Sequence, residues 1–274
     1  MPELPEVEMV VRGLRPDVVG RTFTGADVLW TRELVETSPL DFAARLVGQR
    51  VKAMSRRAKY IVFVLSDDYL LVHLKMTGRL YVSHHIERTQ VDRYLRVVMY
   101  LDDGRELRFS DVRKFGRVYL VADLDPLLGQ LGPEPLSDEF TPDVFRECLK
   151  GRSGLIKPLL LNQTFVAGIG NIYADEALWH ARIAPQRRAD TLKADEVERL
   201  HLSIRRTLQD GLDAEGSTIN WYRKPDGSAG EYQKQFRVYG REGEPCLRCG
   251  TQIRKIRLGQ RGTHYCPNCQ NDKG

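Results

Sequence analysis

Residues 246–269 read CLRCGTQIRKIRLGQRGTHYCPNC. The pairs Cys246/Cys249 and Cys266/Cys269 are separated by sixteen residues. Thiolates at i and i+3 bend a backbone into a knuckle, and two knuckles complete a tetrahedral four-sulfur cage suited to Zn2+. The segment between them, Gly250 to Tyr265, has the length of a two-stranded hairpin and is too short for a domain. It is also basic. From Arg237 to Cys269, seven basic residues (Arg237, Arg241, Arg248, Arg254, Lys255, Arg257, Arg261) face Glu242 and Glu244, an excess of +5 that equals the net charge of all 274 residues. A metal-stapled basic hairpin reads first as a nucleic-acid contact. A zinc ribbon with a purely structural or protein-binding role is the plainer alternative. Two disulfides are a third reading, disfavoured because nothing at the N-terminus resembles a secretory signal and Cys148 is left over. Four sulfurs close the coordination sphere, so any catalysis lies elsewhere.

The remaining composition narrows the class. An apolar content of 42% with 29% charged residues describes a soluble globular chain with material for one or two cores. No apolar run reaches a membrane-spanning length, so a cytosolic protein is expected. A second basic cluster, Arg50 to Lys59 (RVKAMSRRAK), carries five cations and no acid.

The periodicity changes twice along the chain. Residues 5–15 (PEVEMVVRGLR) read as a helix, with Pro5, Glu6 and Glu8 suited to its first turn and Val7, Val10, Val11 and Leu14 on one face. From about 21 to 122 the pattern is of short strands: ADVLW, YIVFVL, LLVHL, LYVS, YLRVVMYL, ELRFS and RVYLVA. Asp103-Gly104 marks a hairpin. That many strands predict a sandwich or barrel. LGPEPLS (131–137) interrupts the pattern as a linker, and helices are expected near 141–150, 154–162, 171–182 and 194–213. Gly168-Ile169-Gly170 lies in the turn between the second and third, which suits a helix-turn-helix type unit. It lacks the third glycine of a dinucleotide fingerprint. Backbone amides at that helix N-terminus, with Asn171, could instead hold one phosphate of a nucleic-acid backbone. Residues 216–234 read as a mobile polar loop. The expected fold class is α+β multidomain: an N-terminal β-sandwich with an N-terminal helix (1–130), a linker (131–140), a helical domain (141–235) and a zinc-finger hairpin (236–274).

Pro2 follows Met1, and a small second residue favours removal of the initiator. The freed secondary amine would titrate near pH ~8. Such an amine can attack an electrophilic carbon and form an iminium, with Glu3 and Glu6 available for proton transfer.

The segments MPELPEVE, DVRKFGR, LGPEPLS, GIGNIYADEAL and VYGREGEPCLRCG…RGTHYCPNCQ together resemble the formamidopyrimidine-DNA glycosylase family, in order and over nearly the whole chain. The resemblance implies a bifunctional glycosylase and abasic-site lyase that excises oxidised purines from double-stranded DNA. It also implies one structural zinc ion and a monomer. Pro2 would attack C1′, Glu3 would protonate the sugar and shuttle protons, Glu6 would organise the pocket, and Lys59 would sit near the active-site phosphates. Met76, Arg113 and Phe115 would fill the stack vacated by a flipped base. Lys157, Asn171 and Arg261 would contact phosphate or the damaged base. Residues 217–234 would cap that base.

One stretch departs from the family pattern. Tyr94 and Arg96 stand where many members carry a histidine pair, so a phosphate contact there would fall to Arg96. His73 reads as a packed structural histidine and His84-His85 as surface. An endonuclease VIII-like enzyme for oxidised pyrimidines and a non-catalytic damage-binding protein on the same scaffold are the competing readings.

Overall fold

Glu3 opens the first helix, α1 (Leu4–Val18), through a reciprocal capping box in which the Glu3 backbone N–H donates to Glu6 Oε2 at 2.8 Å. Val7, Val10, Val11, Leu14 and Val18 form its buried face. The helix runs three residues past its expected end, through Pro16. A proline in the last turn removes a single i→i−4 bond, and burial of Val18 offsets that loss. A computed structural model of the chain describes residues 1–35, 37–83, 92–219 and 222–271. His84-His85 lie outside this set.

Two sheets follow. One has the order β1-β7-β8-β6, from β1 (Phe23–Val28), β6 (Gly78–Ser83), β7 (Leu95–Leu101) and β8 (Glu106–Asp111), all antiparallel. The other has the order β2-β9-β5-β4-β3, from β2 (Leu34–Val35), β3 (Ala53–Arg57), β4 (Tyr60–Val64), β5 (Tyr69–His73) and β9 (Arg117–Val121). All its pairings are antiparallel except β2 with β9. These are the sheets of the expected β-sandwich. The seven expected strands are all present, and β2, β3 and a helix between them were not anticipated. β2 is only two residues long. β3 is an edge strand whose polar face hid its register, with Met54 its buried contact. The helix α2 (Pro39–Leu46) is started by Ser38, whose hydroxyl accepts from the Asp41 N–H, and it buries Phe42 and Leu46.

By its internal contacts the chain divides into two compact units, Met1–Gln130 with Glu215–Gly230, and Leu131–Ala214 with Glu231–Gly274. Residues 215–230 thus group with the N-terminal sheets, where the sequence reading set them in the helical region. The zinc hairpin groups with the helices.

The second unit contains α4 (Pro142–Leu149), α5 (Ile156–Leu161), α6 (Asn171–Ala181) and α7 (Ala194–Asp213), after a one-turn helix α3 (Asp125–Leu128) that ends the first. Thr141 caps α4, and α7 begins with the Glu196 carboxylate accepting the Lys193 N–H at 2.8 Å. Phe140 and Phe145 pack against His201 in the core, with Phe165 against Phe145, and His201 Nε2 lies 2.6 Å from the Phe140 carbonyl oxygen. LGPEPLS, expected as a linker, is pinned to this unit. Arg205 donates to the carbonyls of Pro135 and Ser137 at 3.1 and 2.5 Å. Gly132 lies so close to Phe165 that a Cβ would fall 2.6 Å from its carbonyl. β10 (Arg254–Leu258) and β11 (Arg261–Tyr265) form the terminal hairpin. Among the described residues no helix is long and apolar enough to cross a membrane.

One buried acid stands apart. Glu33 ends a 3-10 turn (Thr31–Glu33), has no exposed surface, and neither carboxylate oxygen has a hydrogen-bond partner among the described residues. Burial, reinforced by the nearby Asp111 charge, pushes its pKa up to about 8 against the pull of Arg96, Arg117 and Lys114. The folded state therefore holds this proton where the unfolded chain has lost it. Glu33's contribution to stability is greatest below pH 4.5 and falls as pH rises through about 8. Glu33→Leu should remove this slope. Urea unfolding should show the variant gaining on the native chain from pH 5 to 8, by on the order of a few kcal/mol at 1.4 kcal/mol per tenfold change in proton affinity.

Candidate active site and nucleic-acid interface

In the first unit, Met1 is exposed and Pro2 is buried, followed by Glu3 and Glu6 at 3% and 2% exposure. The two Glu6 oxygens serve different backbone segments. Oε2 takes the Glu3 N–H, and Oε1 takes the Ser217 N–H at 2.8 Å. This second bond ties residues 215–230 to α1. The same segment passes Gly13 closely, since a Cβ there would lie 2.9 Å from Pro225 Cγ. Glu6 thus joins two backbone segments, one at Glu3 and one at Ser217.

Lys59 is 4% exposed and lies in the two-residue turn between β3 and β4, strands against which α1 packs. Arg56 braces that turn, with Nε 3.3 Å from Glu8 and Nη1 donating to the Ala58 carbonyl at 2.9 Å. Lys52 donates to the Ser66 carbonyl. The basic run 50–59 is therefore partly spent on the fold and is not a uniform cationic face. His73 Nδ1 accepts the Lys75 N–H at 3.0 Å, and its ring packs edge-on against Tyr60. Burial and then the charges of Lys75 and Lys59 lower its pKa to about 3, so the imidazole stays neutral.

Met76, Arg113 and Phe115 come together on the turns that follow β5 and β8. Arg113 Nη1 donates to Met76 Sδ at 3.0 Å, and its guanidinium lies 4.8 Å from the centre of the Phe115 ring. Met76 and Phe115 are 37% and 45% exposed, which rules out the core role that strand periodicity alone allowed. Asp111, fully buried at the end of β8, holds this group. One oxygen accepts from the Thr77 hydroxyl and the Arg113 N–H, the other from the N–H groups of Phe115 and Gly116 at 2.8 and 2.7 Å. Gly116 must be glycine, because a Cβ would lie 2.3 Å from the Phe109 ring. Arg96, expected at a phosphate, donates through Nε to the Asp111 carbonyl at 2.9 Å.

In the second unit, Lys157 and Asn171 converge on the residue after Arg261. Lys157 Nζ donates to the Gly262 carbonyl and the Thr263 hydroxyl at 3.0 and 2.7 Å and lies 2.7 Å from Asp175 Oδ1. Asn171 Nδ2 donates to the same Gly262 carbonyl at 3.0 Å. Lys157, expected at a phosphate or the damaged base, has no exposed surface here and is engaged within the fold. Its charge is compensated by Asp175, and its side chain holds the hairpin. Arg261 itself is exposed at the start of β11. Asp175 also accepts the His264 N–H at 2.9 Å, and Glu176 accepts the N–H groups of Arg237, Val238 and Tyr239.

The four cysteine sulfurs lie within 4.8 Å of one another, with contacts of 3.9 Å (Cys246 to Cys269) and 3.5 Å (Cys249 to Cys266). A tetrahedral zinc with Zn–S near ~2.3 Å requires sulfurs about 3.8 Å apart, so the cage fits one zinc ion held by Cys246, Cys249, Cys266 and Cys269. Closed by four thiolates, this ion supplies shape and no open coordination position.

Backbone strain marks the same places. Ala58, Lys75, Lys114 and Gln260 are non-glycine residues at φ of 53, 50, 60 and 64°. Each is the immediate neighbour of Lys59, Met76, Phe115 or Arg261. Left-handed conformations in such residues persist only where the surroundings impose them. No single-sequence signal pointed to Asp111, Asp175 or Glu176, because a carboxylate that will cap backbone amides looks like any surface acid. Asp111→Asn leaves one acceptor oxygen for four donors. It should destabilise the protein by about 2–3 kcal/mol in chemical denaturation, and weaken anisotropy-measured binding to abasic DNA by more than the stability loss explains.

Three family models match in order. They are the formamidopyrimidine-DNA glycosylase N-terminal domain over residues 1–118, the H2TH domain of that glycosylase over 131–223, and a zinc finger found in FPG and IleRS over 243–271. Formamidopyrimidine-DNA glycosylase of Symbiobacterium thermophilum is 49% identical, the match covering 98% of this chain and 89% of that protein. The enzyme of that name from Geobacillus kaustophilus is 45% identical over 98% and 100%. Among solved structures, a point mutant of Lactococcus lactis FPG in complex with Fapy-dG-containing DNA superposes at a TM-score of 0.91 with 38% identity, covering 99% of this chain and all of that one. MutM in complex with carbocyclic 8-oxo-G DNA gives 0.90 and 38% over the same shares. With these matches spanning both units and the cysteine hairpin, the chain belongs to the formamidopyrimidine-DNA glycosylase family.

Proposed function

We propose that this protein is a base-excision repair enzyme, a DNA glycosylase and abasic-site lyase, that removes 8-oxoguanine and formamidopyrimidines from double-stranded DNA as a monomer. The observation that carries the reading is the exposed Met76–Arg113–Phe115 group on its buried Asp111 anchor. An apolar wedge and a planar cation held rigidly above the surface suit the space left by an extruded nucleotide. Extrusion exposes C1′, which the stack otherwise shields.

After loss of Met1, the Pro2 nitrogen attacks C1′ as the base departs, giving an iminium to the opened sugar. Glu3 protonates the ring oxygen and then moves protons through elimination. Successive elimination of the 3′ and 5′ phosphates leaves a one-nucleotide gap, and hydrolysis of the remaining iminium by water releases the unsaturated sugar fragment and regenerates the amine. Glu6 keeps the N-terminus and residues 215–230 in register. Lys59 and Arg96 attract the flanking phosphates, and Arg261 grips the backbone from the zinc hairpin. Lys157 and Asn171 position the Arg261 turn through the Gly262 carbonyl. The functional divisions are a catalytic module at 1–130, a helical module at 141–235 joined by 131–140, and the zinc hairpin at 236–274. The protein works in the bacterial cytoplasm on the nucleoid.

One further reading has an observation behind it: a wild-type Lactococcus lactis relative, 37% identical, has been solved with DNA containing an oxidised pyrimidine. Excision of 8-oxoguanine opposite cytosine should exceed that of thymine glycol by at least tenfold in kcat/KM; the reverse preference assigns the chain to pyrimidine repair. Borohydride should trap a covalent complex with lesion DNA in a protein whose intact mass shows Met1 removed. DNA binding without trapping would make the chain a damage-binding protein, and retained Met1 in an active enzyme would rule out Pro2 as nucleophile.

A further inference from the structure

Zinc bound by four thiolates leaves two uncompensated negative charges in a half-buried cage, and such centres depend on hydrogen bonds to sulfur from groups that ligate nothing themselves. The knuckles supply some of these from their own backbone. The Arg248 N–H approaches Cys246 Sγ at 3.5 Å, and the Cys269 N–H approaches Cys266 Sγ at 3.4 Å. A further donor comes from outside the hairpin. Trp179, near the end of α6, directs its indole Nε1–H at Cys246 Sγ at 3.4 Å.

The indole is held from several directions. It is 6% exposed within a cluster of Val238, Cys246, Ile253 and Cys266. The Arg248 guanidinium lies 3.9 Å above its ring centre and donates to the Trp179 carbonyl at 3.1 Å. The second knuckle is tied to the same stretch of chain, because Gln270 accepts the Cys266 N–H and donates to the Ile183 carbonyl at 3.0 Å. At the other end of α6, Asn171 and Asp175 hold Gly262 and His264. One helix therefore grips the cage at its C-terminal end and the strand beginning at Arg261 at its N-terminal end.

We propose that Trp179 is an outer-sphere ligand of the zinc centre, its indole N–H donating to the Cys246 thiolate, and that through it α6 keeps the cage in register with the Arg261 turn. This rests on the zinc reading of the four cysteines. A hydrogen bond withdraws electron density from the thiolate, lowering the charge of the cage and the energy of the sulfur lone pair. Its loss weakens metal retention and raises the lone pair.

The test uses the metal-loaded full chain and Trp179→Phe, which keeps an aromatic ring and removes the donor. Competition with a chromogenic chelator should show zinc affinity reduced roughly ten- to a hundredfold. With cobalt replacing zinc, the sulfur-to-metal charge-transfer band should move to longer wavelength. Val238→Ala loosens the same cluster without removing a donor, and should leave that band in place. In the cadmium-loaded native chain, the Trp179 indole proton should show scalar coupling to the metal across the hydrogen bond, a measurement that needs no variant. Equal affinity and an unshifted band in Trp179→Phe, an equal band shift in Val238→Ala, or absent coupling would each overturn the proposal. Zinc stoichiometry of the native chain tests the cage itself, so a failure of that reading is separately visible.

Discussion

A carboxylate removed from water must fill its lone pairs or surrender its charge, and the irregular parts of this protein are built around that requirement. Asp111 gathers the Arg113–Gly116 turn and Thr77, Glu6 joins the N-terminus to residue 217, and Glu176 receives three successive amides at 237–239. Each stands at the end of a strand or within a helix, so a rigid element projects an acceptor and a loop folds onto it. Glu33 meets the requirement the other way. Without hydrogen-bond partners among the described residues, it keeps its proton.

This arrangement explains how exposed side chains are held in one geometry. Met76 and Phe115 bury too little surface to fix themselves, and the turns carrying them include left-handed residues that an isolated peptide would avoid. Bonds made one or two residues away, in buried surroundings, impose the conformation. The same logic operates in the second unit, where Lys157 and Asn171 converge on Gly262 and leave Arg261 exposed. The buried Lys157–Asp175 pair is compensated in charge and further bonded to Thr263, which is what makes a buried ammonium tolerable.

Much of the fold was legible beforehand because its signals are local. Apolar spacing identified α1 and the four main helices of the second unit, and β-branched runs identified seven strands. β3 was missed because an edge strand shows one buried residue among polar neighbours. α2 was missed although Ser38-Pro39 is a sound start signal, since the surrounding strand pattern obscured it. The cysteine cage could be read from spacing alone, whereas Pro2 and Glu3 became candidates from chemistry joined to family resemblance. The pairing of Lys157 was not legible, because a lysine on a short helix carries no sign of the Asp175 that neutralises it.

By itself, the sequence determined whatever depends on neighbours along the chain: helix and strand periods, caps, and a four-sulfur metal site whose ligands are set by two knuckles. It also determined which residues could carry nucleophilic and acid–base chemistry. Only the tertiary structure decided which charges are spent internally, that Lys157 and Arg56 brace turns while Arg261 stays exposed, and that residues 215–230 join the N-terminal unit. The physical reason is that burial and hydrogen-bond partnership are properties of non-local contacts. A carboxylate or an ammonium acquires its role only when the fold brings its partner from a distant part of the chain.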